Sequence, residues 1–132
     1  MKINKRRLII FGISFLIPLI YYRLLILFLP KNYIPTLREL TSLNLHHLHY
    51  GIIIITITIL LLLFYKINTF STILSGLGLG LIVDTFIPSL FLDTVRENEL
   101  LVYSQHFTGT IILFGIILIL AISISIIANK SG

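Results

Sequence analysis

The sequence predicts an all-α polytopic membrane protein: a bundle of four transmembrane helices with a short interfacial helix between spans three and four. Three observations carry this expectation. Of 132 residues, 57% are hydrophobic and only 11% charged, whereas an ordinary soluble domain carries about 25% charged residues. The mean hydropathy is +1.05, and the apolar residues gather in four runs separated by short polar stretches. A soluble enzyme is excluded for want of charge to coat a wet surface, and a disordered chain because disorder needs low hydrophobicity. Residues 1–132 are read as a single transmembrane domain.

The first run is Leu8 to Leu29, preceded by Lys2, Lys5, Arg6 and Arg7 and closed by Pro30. As a helix it rises about 33 Å, enough for a hydrocarbon core of about 30 Å. It is too long for the apolar region of a cleavable signal peptide and lacks a small-residue cleavage site, so it is read as an uncleaved span bent near Pro18. The second run, Gly51 to Tyr65, reaches only about 22 Å. Extension upstream to Leu43 supplies the missing length and places the second span at about 43–65, with His46, His47, His49 and Tyr50 in its first turns. Within it, Ile55-Thr56-Ile57-Thr58-Ile59 alternates like a strand, but an isolated strand cannot satisfy its backbone in lipid, so helix is expected. A turn around Lys66 to Thr69 leads to the third span at about 70–91, and the fourth follows at about 107–128. Between them, Thr94-x-x-Glu97 has the pattern of a capping box that opens the short interfacial helix.

Charge orients the bundle. With both termini on one side, that side holds Lys2, Lys5, Arg6, Arg7, Lys66 and Lys130 and no acid, while the other holds Lys31, Arg38 and Arg96 with Glu39, Asp93, Glu97 and Glu99. The positive-inside rule then predicts a protein integral to the cell membrane with both termini cytoplasmic. The net charge of +5 is thereby explained by topology, and no nucleic-acid partner is expected. The expected surroundings are the lipid bilayer, other membrane subunits or further copies of the chain.

Two residues left within spans, Arg23 and Asp84, fall on the outer side in this arrangement, as do all four histidines. Intramembrane charges are costly and usually pair with each other, so Arg23 and Asp84 are expected to form a structural ion pair. Gly76 and Gly80 lie eight and four residues before Asp84 on the same helix face, and Gly76-x-x-x-Gly80 is a small-residue packing motif. A second grouping is the run His46-His47-Leu48-His49-Tyr50. On a helix His46 and His49 lie about 60° apart, with Tyr50 between them and His47 pointing elsewhere. His46, His49 and Asp84, with His106 as a further ligand, form a candidate nitrogen and oxygen set for a divalent transition metal, Zn, Mn, Fe or Cu. No HExxH or three-histidine-box pattern accompanies it. Cysteine is absent, so thiolate ligands and disulfides are excluded. The run Gly76-Leu77-Gly78-Leu79-Gly80 lacks the lysine and the strand-to-helix context of a phosphate loop, and its glycines are read as packing residues.

The pattern His46-His47-x-x-Tyr50-Gly51-Ile52, followed by Gly76-x-Gly78-x-Gly80-Leu81-x-x-Asp84-x-Phe86, resembles a family of small uncharacterised prokaryotic integral membrane proteins with four predicted spans. The likeness covers about Leu45 to His106. It implies the four-span architecture and marks the same histidine and aspartate positions, but names no activity. Thr85 stands where that family's pattern places glutamate, which removes a second carboxylate from any two-carboxylate metal site.

Three function classes follow. The leading expectation is an accessory or assembly subunit of a membrane complex, in which Arg23, Asp84 and the glycine face serve as assembly devices. The alternative is a metal-binding membrane protein or an intramembrane metal-dependent enzyme with its His/Asp site on the extracytoplasmic side. An oligomeric channel or carrier comes third, because the spans offer a single buried charge pair and no inverted repeat. Whether the chain is an enzyme is left open by its sequence.

Overall fold

A computed structural model describes residues 5–28, 47–91 and 99–130. They form five helices: α1 (Lys5–Phe28), α2 (His47–Phe64), α3 (Thr69–Ser89), the short α4 (Glu99–Gln105) and α5 (Phe107–Lys130). Four of them, all but α4, are long and apolar enough to cross a membrane. The fold class is the expected one, including the short helix between spans three and four. Residues 43–46 of the expected second span and the Thr94-x-x-Glu97 pattern lie outside the described residues. The strand-like Ile-Thr alternation is helical, and its threonines show how: Thr56 and Thr58 each donate a hydroxyl hydrogen bond to the carbonyl four residues back, both at 2.8 Å. Those bonds keep the hydroxyls satisfied where no water reaches them.

The α2–α3 turn is closed by chemistry that the sequence reading passed over. Asn68 caps α3: its side-chain oxygen accepts from the Ser71 amide at 2.8 Å, while the Ser71 hydroxyl accepts from the Asn68 amide at 3.1 Å. This reciprocal pair satisfies two donors that the helix start would otherwise leave open. At the other end α3 stops at Ser89, two residues before the expected Phe91. Leu90 and Phe91 donate to the carbonyls of Ile87 and Pro88 at 3.2 and 3.0 Å, three-residue bonds that tighten the last turn.

Helix α3 is the centre of the bundle. It packs extensively on α1 and α2 and less on α5, and it is the most buried of the four long helices. Glycine explains this position. A methyl group on Gly76 would come within 2.8 Å of the Phe11 carbonyl oxygen of α1, and one on Gly80 would run into the Phe15 carbonyl oxygen beside the Pro18 ring. On the opposite face, a methyl on Gly78 would meet Ile54 at 2.9 Å and Ile55 at 3.0 Å, and one on Gly51 of α2 would meet the Gly78 carbonyl at 2.8 Å. Residues two apart on a helix point about 200° from each other. The alternating Gly-Leu-Gly-Leu-Gly therefore lets one helix be approached at backbone distance from two sides.

These contacts also fix direction. Phe11, Phe15 and Arg23 of α1 meet Gly76, Gly80 and Asp84 in the same order, so α1 and α3 run parallel. Gly51 meets Ile82 while Ile54 meets Gly78, so α2 runs antiparallel to them. Phe114 of α5 packs on Phe15 with ring centroids 4.6 Å apart, and Phe107 lies by Arg23, so α5 is antiparallel to α1. Phe15, Val83 and Phe114 form the buried core. Among the described residues, every histidine and both acids gather at one end of the bundle, whereas Lys5, Arg6, Arg7, Lys66 and Lys130 gather at the other.

The glycine contacts predict a graded mutational response. Gly80→Ala should lower folding stability in mild detergent by about 1–3 kcal/mol, the usual range for overpacking. Gly115→Ala, whose added methyl would find no atom within 4 Å, should leave the melting temperature unchanged or slightly raised. Equal melting temperatures for the two variants would contradict the seam.

Candidate functional site

The polar end is built around Arg23 and Asp84. Asp84 comes from the last third of α3, just beyond the glycines that bring α1 close, and its side chain is 1% exposed. Arg23 comes from α1 at the same depth, with its side chain 14% exposed and Nη2 at 3.5 Å from Asp84 Oδ1. That separation is an ion pair but too long for a formed N–H···O hydrogen bond. Arg23 Nη1 instead donates to the Tyr103 carbonyl oxygen at 3.0 Å. Tyr103 lies in the last turn of α4, where helix carbonyls have no partner within the helix and carry partial negative charge. The guanidinium also lies 4.9 Å from the Phe107 ring centre and 5.6 Å from that of Tyr103, within the range of cation–π attraction. One side chain thus ties α1 to α3, to α4 and to the start of α5.

Aromatic residues complete the surroundings. Tyr22 stacks on His47 with centroids 3.5 Å apart and planes inclined by 22°, which joins α1 to the start of α2. Its hydroxyl lies within electrostatic range of Asp84 and Tyr50. The Tyr50 hydroxyl is buried. His106 stacks on Phe91 at 4.1 Å, nearly coplanar, and so packs at the α3–α5 corner.

Several valences in this cluster are unfilled. Among the described residues, neither carboxylate oxygen of Asp84 accepts a hydrogen bond, and Arg23 Nε, Arg23 Nη2 and the Tyr50 hydroxyl donate none. Buried polar groups in folded proteins nearly always find partners, in protein or in ordered water. Here donors and acceptors are left over together, which fits a species able both to accept from Arg23 or Tyr50 and to donate to Asp84.

The sequence-derived residues divide accordingly. Arg23 and Asp84 come together, and Gly76 and Gly80 form the seam that lets them. His46 lies outside the described residues. His49 is exposed, His106 stacks on Phe91, and among the described residues no three His, Asp or Glu side chains converge. His47, set aside in the helical-wheel argument, is the histidine that packs inward on Tyr22. Its position follows from the α2–α3 contact: His47 lies four residues before Gly51 and eleven before the buried Thr58, on the stripe that faces α3. Tyr103 had no signal in the sequence, because it contributes a backbone oxygen that any residue there would carry.

The pair invites a double-mutant cycle. Asp84→Leu leaves a guanidinium that cannot lose its charge, whereas Arg23→Met leaves a carboxyl that can take up a proton. Asp84→Leu should therefore be the more damaging of the two, costing about 3–5 kcal/mol, and the double variant should be more stable than Asp84→Leu alone. Strictly additive losses in thermal or denaturant unfolding would show that the two side chains do not interact.

No family model, curated protein or solved structure matches the chain, so the chemistry of this site is argued from its own residues.

Proposed function

We propose that this small membrane protein is a binding module whose site is the Arg23–Asp84 cluster, and that it holds a small polar ligand carrying a hydrogen-bond donor and acceptor close together. Hydroxyl-, amide- and carboxyl-bearing molecules have that chemistry. The observation that carries the reading is the buried Asp84 carboxylate with both oxygens free of hydrogen bonds beside an incompletely used guanidinium. An intramembrane ionisable residue is costly to insert and is a functional candidate by default. A simple lock between α1 and α3 would be served better by a closed bidentate pair.

The same geometry bears on the other readings. The features expected to recruit a partner, Arg23, Asp84 and the Gly76–Gly80 face, are engaged within the chain. An accessory role in a larger complex would therefore use a different surface, the outward faces of α2 and α5, the least buried of the long helices. A divalent metal on Asp84 would have to share the carboxylate with Arg23, so the metal reading depends on His46 and on ligands brought in from outside the described residues. Charge asymmetry between the ends supports both termini lying in the cytoplasm, with the polar cluster at the outer end.

Two measurements check this reading. Protein extracted gently from its own membranes should carry a small molecule near stoichiometry in native mass spectrometry. Asp84→Asn, which keeps the size and removes the charge, should lower that occupancy roughly tenfold or more, the usual weight of a charge-assisted hydrogen bond. A wild-type chain carrying only lipid would contradict the ligand. For orientation, the chain has no native cysteine, so a single cysteine at Asn32 should label with an impermeant reagent from outside, and one at the exposed Ile67 should not. The reverse pattern would place the cluster on the cytoplasmic side.

A further inference from the structure

The opposite end of the bundle carries a second feature, independent of the polar cluster. A cleft of about 190 Å³ lies where α2 turns into α3, lined by Leu61, Tyr65, Lys66, Asn68, Phe70 and Ser71. This is smaller than the about 300–1,000 Å³ typical of pockets that enclose a whole small molecule. It suits one end of a longer molecule whose remainder lies elsewhere. Leu61 and Phe70 give it an apolar wall, while Lys66 supplies a cation at the membrane boundary. Tyr65 and Phe70 are 69% and 60% exposed, as interfacial aromatic residues are at headgroup depth.

Charge selects the occupant. Lys5, Arg6, Arg7, Lys66 and Lys130 share this end, and among the described residues it has no acid. The α3 terminus itself is already closed by the Asn68–Ser71 capping pair, so attraction falls to the Lys66 ammonium and the surrounding positive field. We infer that the α2–α3 cleft binds an anionic phospholipid, with the phosphate of the headgroup at Lys66 and the start of an acyl chain against Leu61 and Phe70. Basic pockets at the ends of transmembrane helices take anionic headgroups on this principle, each lysine or arginine near the surface adding a modest, salt-sensitive attraction.

The test uses the full-length chain in detergent with mixed phosphatidylglycerol and phosphatidylcholine, followed by native mass spectrometry at matched lipid concentrations. The wild type should retain phosphatidylglycerol preferentially. Lys66→Gln should reduce that retention about fivefold, Lys66→Arg should preserve it, and Lys130→Gln, at the same end but outside the cleft, should reduce it distinctly less than Lys66→Gln. Since Lys66 lies in an exposed turn, the melting temperature of each variant without added lipid should match the wild type and certify folding. Equal retention of the two lipids, an unaffected Lys66→Gln variant, or an equal loss in Lys130→Gln would overturn the assignment. Displacement of the lipid by millimolar inorganic phosphate would overturn it too, by showing that the cleft takes a free anion.

Discussion

In lipid, two helices gain little by hiding leucine side chains from acyl chains that are just as apolar, so tight association has to come from backbones that can touch. Helix α3 meets that condition on two faces. Gly76 and Gly80 admit the backbone of α1, and Gly78 with Gly51 admits α2 from the opposite side. Everything at the polar end depends on this close approach. Arg23 reaches Asp84 because Phe15 and Pro18 of its own helix lie against Gly80, and Tyr50 and His47 reach the cluster because Gly51 lies against Gly78. The outer surfaces of α1, α2 and α5 need no such care, and long apolar side chains such as Ile9, Leu63 and Ile127 are more than half exposed there, where acyl chains would cover them.

The cluster combines costs that the bundle offsets unequally. Arg23 is well supplied, with the Tyr103 carbonyl, two aromatic rings and the Asp84 carboxylate around it. Asp84 has a countercharge but no hydrogen bond among the described residues. This asymmetry separates a site from a brace: a structural ion pair gains most when both partners are fully bonded, since a buried charge that keeps empty valences retains much of its desolvation cost. The short α4 takes its place through the same arginine, because the orphan carbonyl at its last turn accepts the hydrogen bond that Asp84 does not.

Much of this was legible in the sequence, and what was missed has identifiable reasons. Run lengths and hydropathy anticipated the four helices long and apolar enough to cross a membrane, since bilayer thickness fixes how many apolar residues such a helix must have. The pairing of Arg23 with Asp84 was anticipated from the cost of leaving a lone charge within an apolar span. Gly76 and Gly80 stood out by their spacing of four, and Gly78 was read as a packing residue with them, but that it serves the opposite face and a different helix was not drawn from the helical projection. The histidines illustrate a different limit. Angular spacing says which residues share a face, yet the choice of face depends on a neighbour, and here the contact of Gly51 with Gly78 turns His47 rather than His49 towards the bundle. The Arg23 to Tyr103 bond was beyond reach, because a main-chain acceptor leaves no trace in residue identity.

The central claim is that Arg23 and Asp84 meet within one chain, across a seam of glycines, and not between two chains. Solid-state NMR in lipid bilayers tests it directly, through a dipolar contact between a ¹⁵N-labelled Arg23 guanidinium and a ¹³C-labelled Asp84 carboxylate. At a nitrogen–oxygen separation of 3.5 Å the contact should be present, and its strength per labelled chain should be unchanged when labelled protein is diluted with unlabelled protein. A contact that fades on dilution would mean that the pair forms between chains, and no contact at all would mean that α1 and α3 do not pack through Gly76 and Gly80.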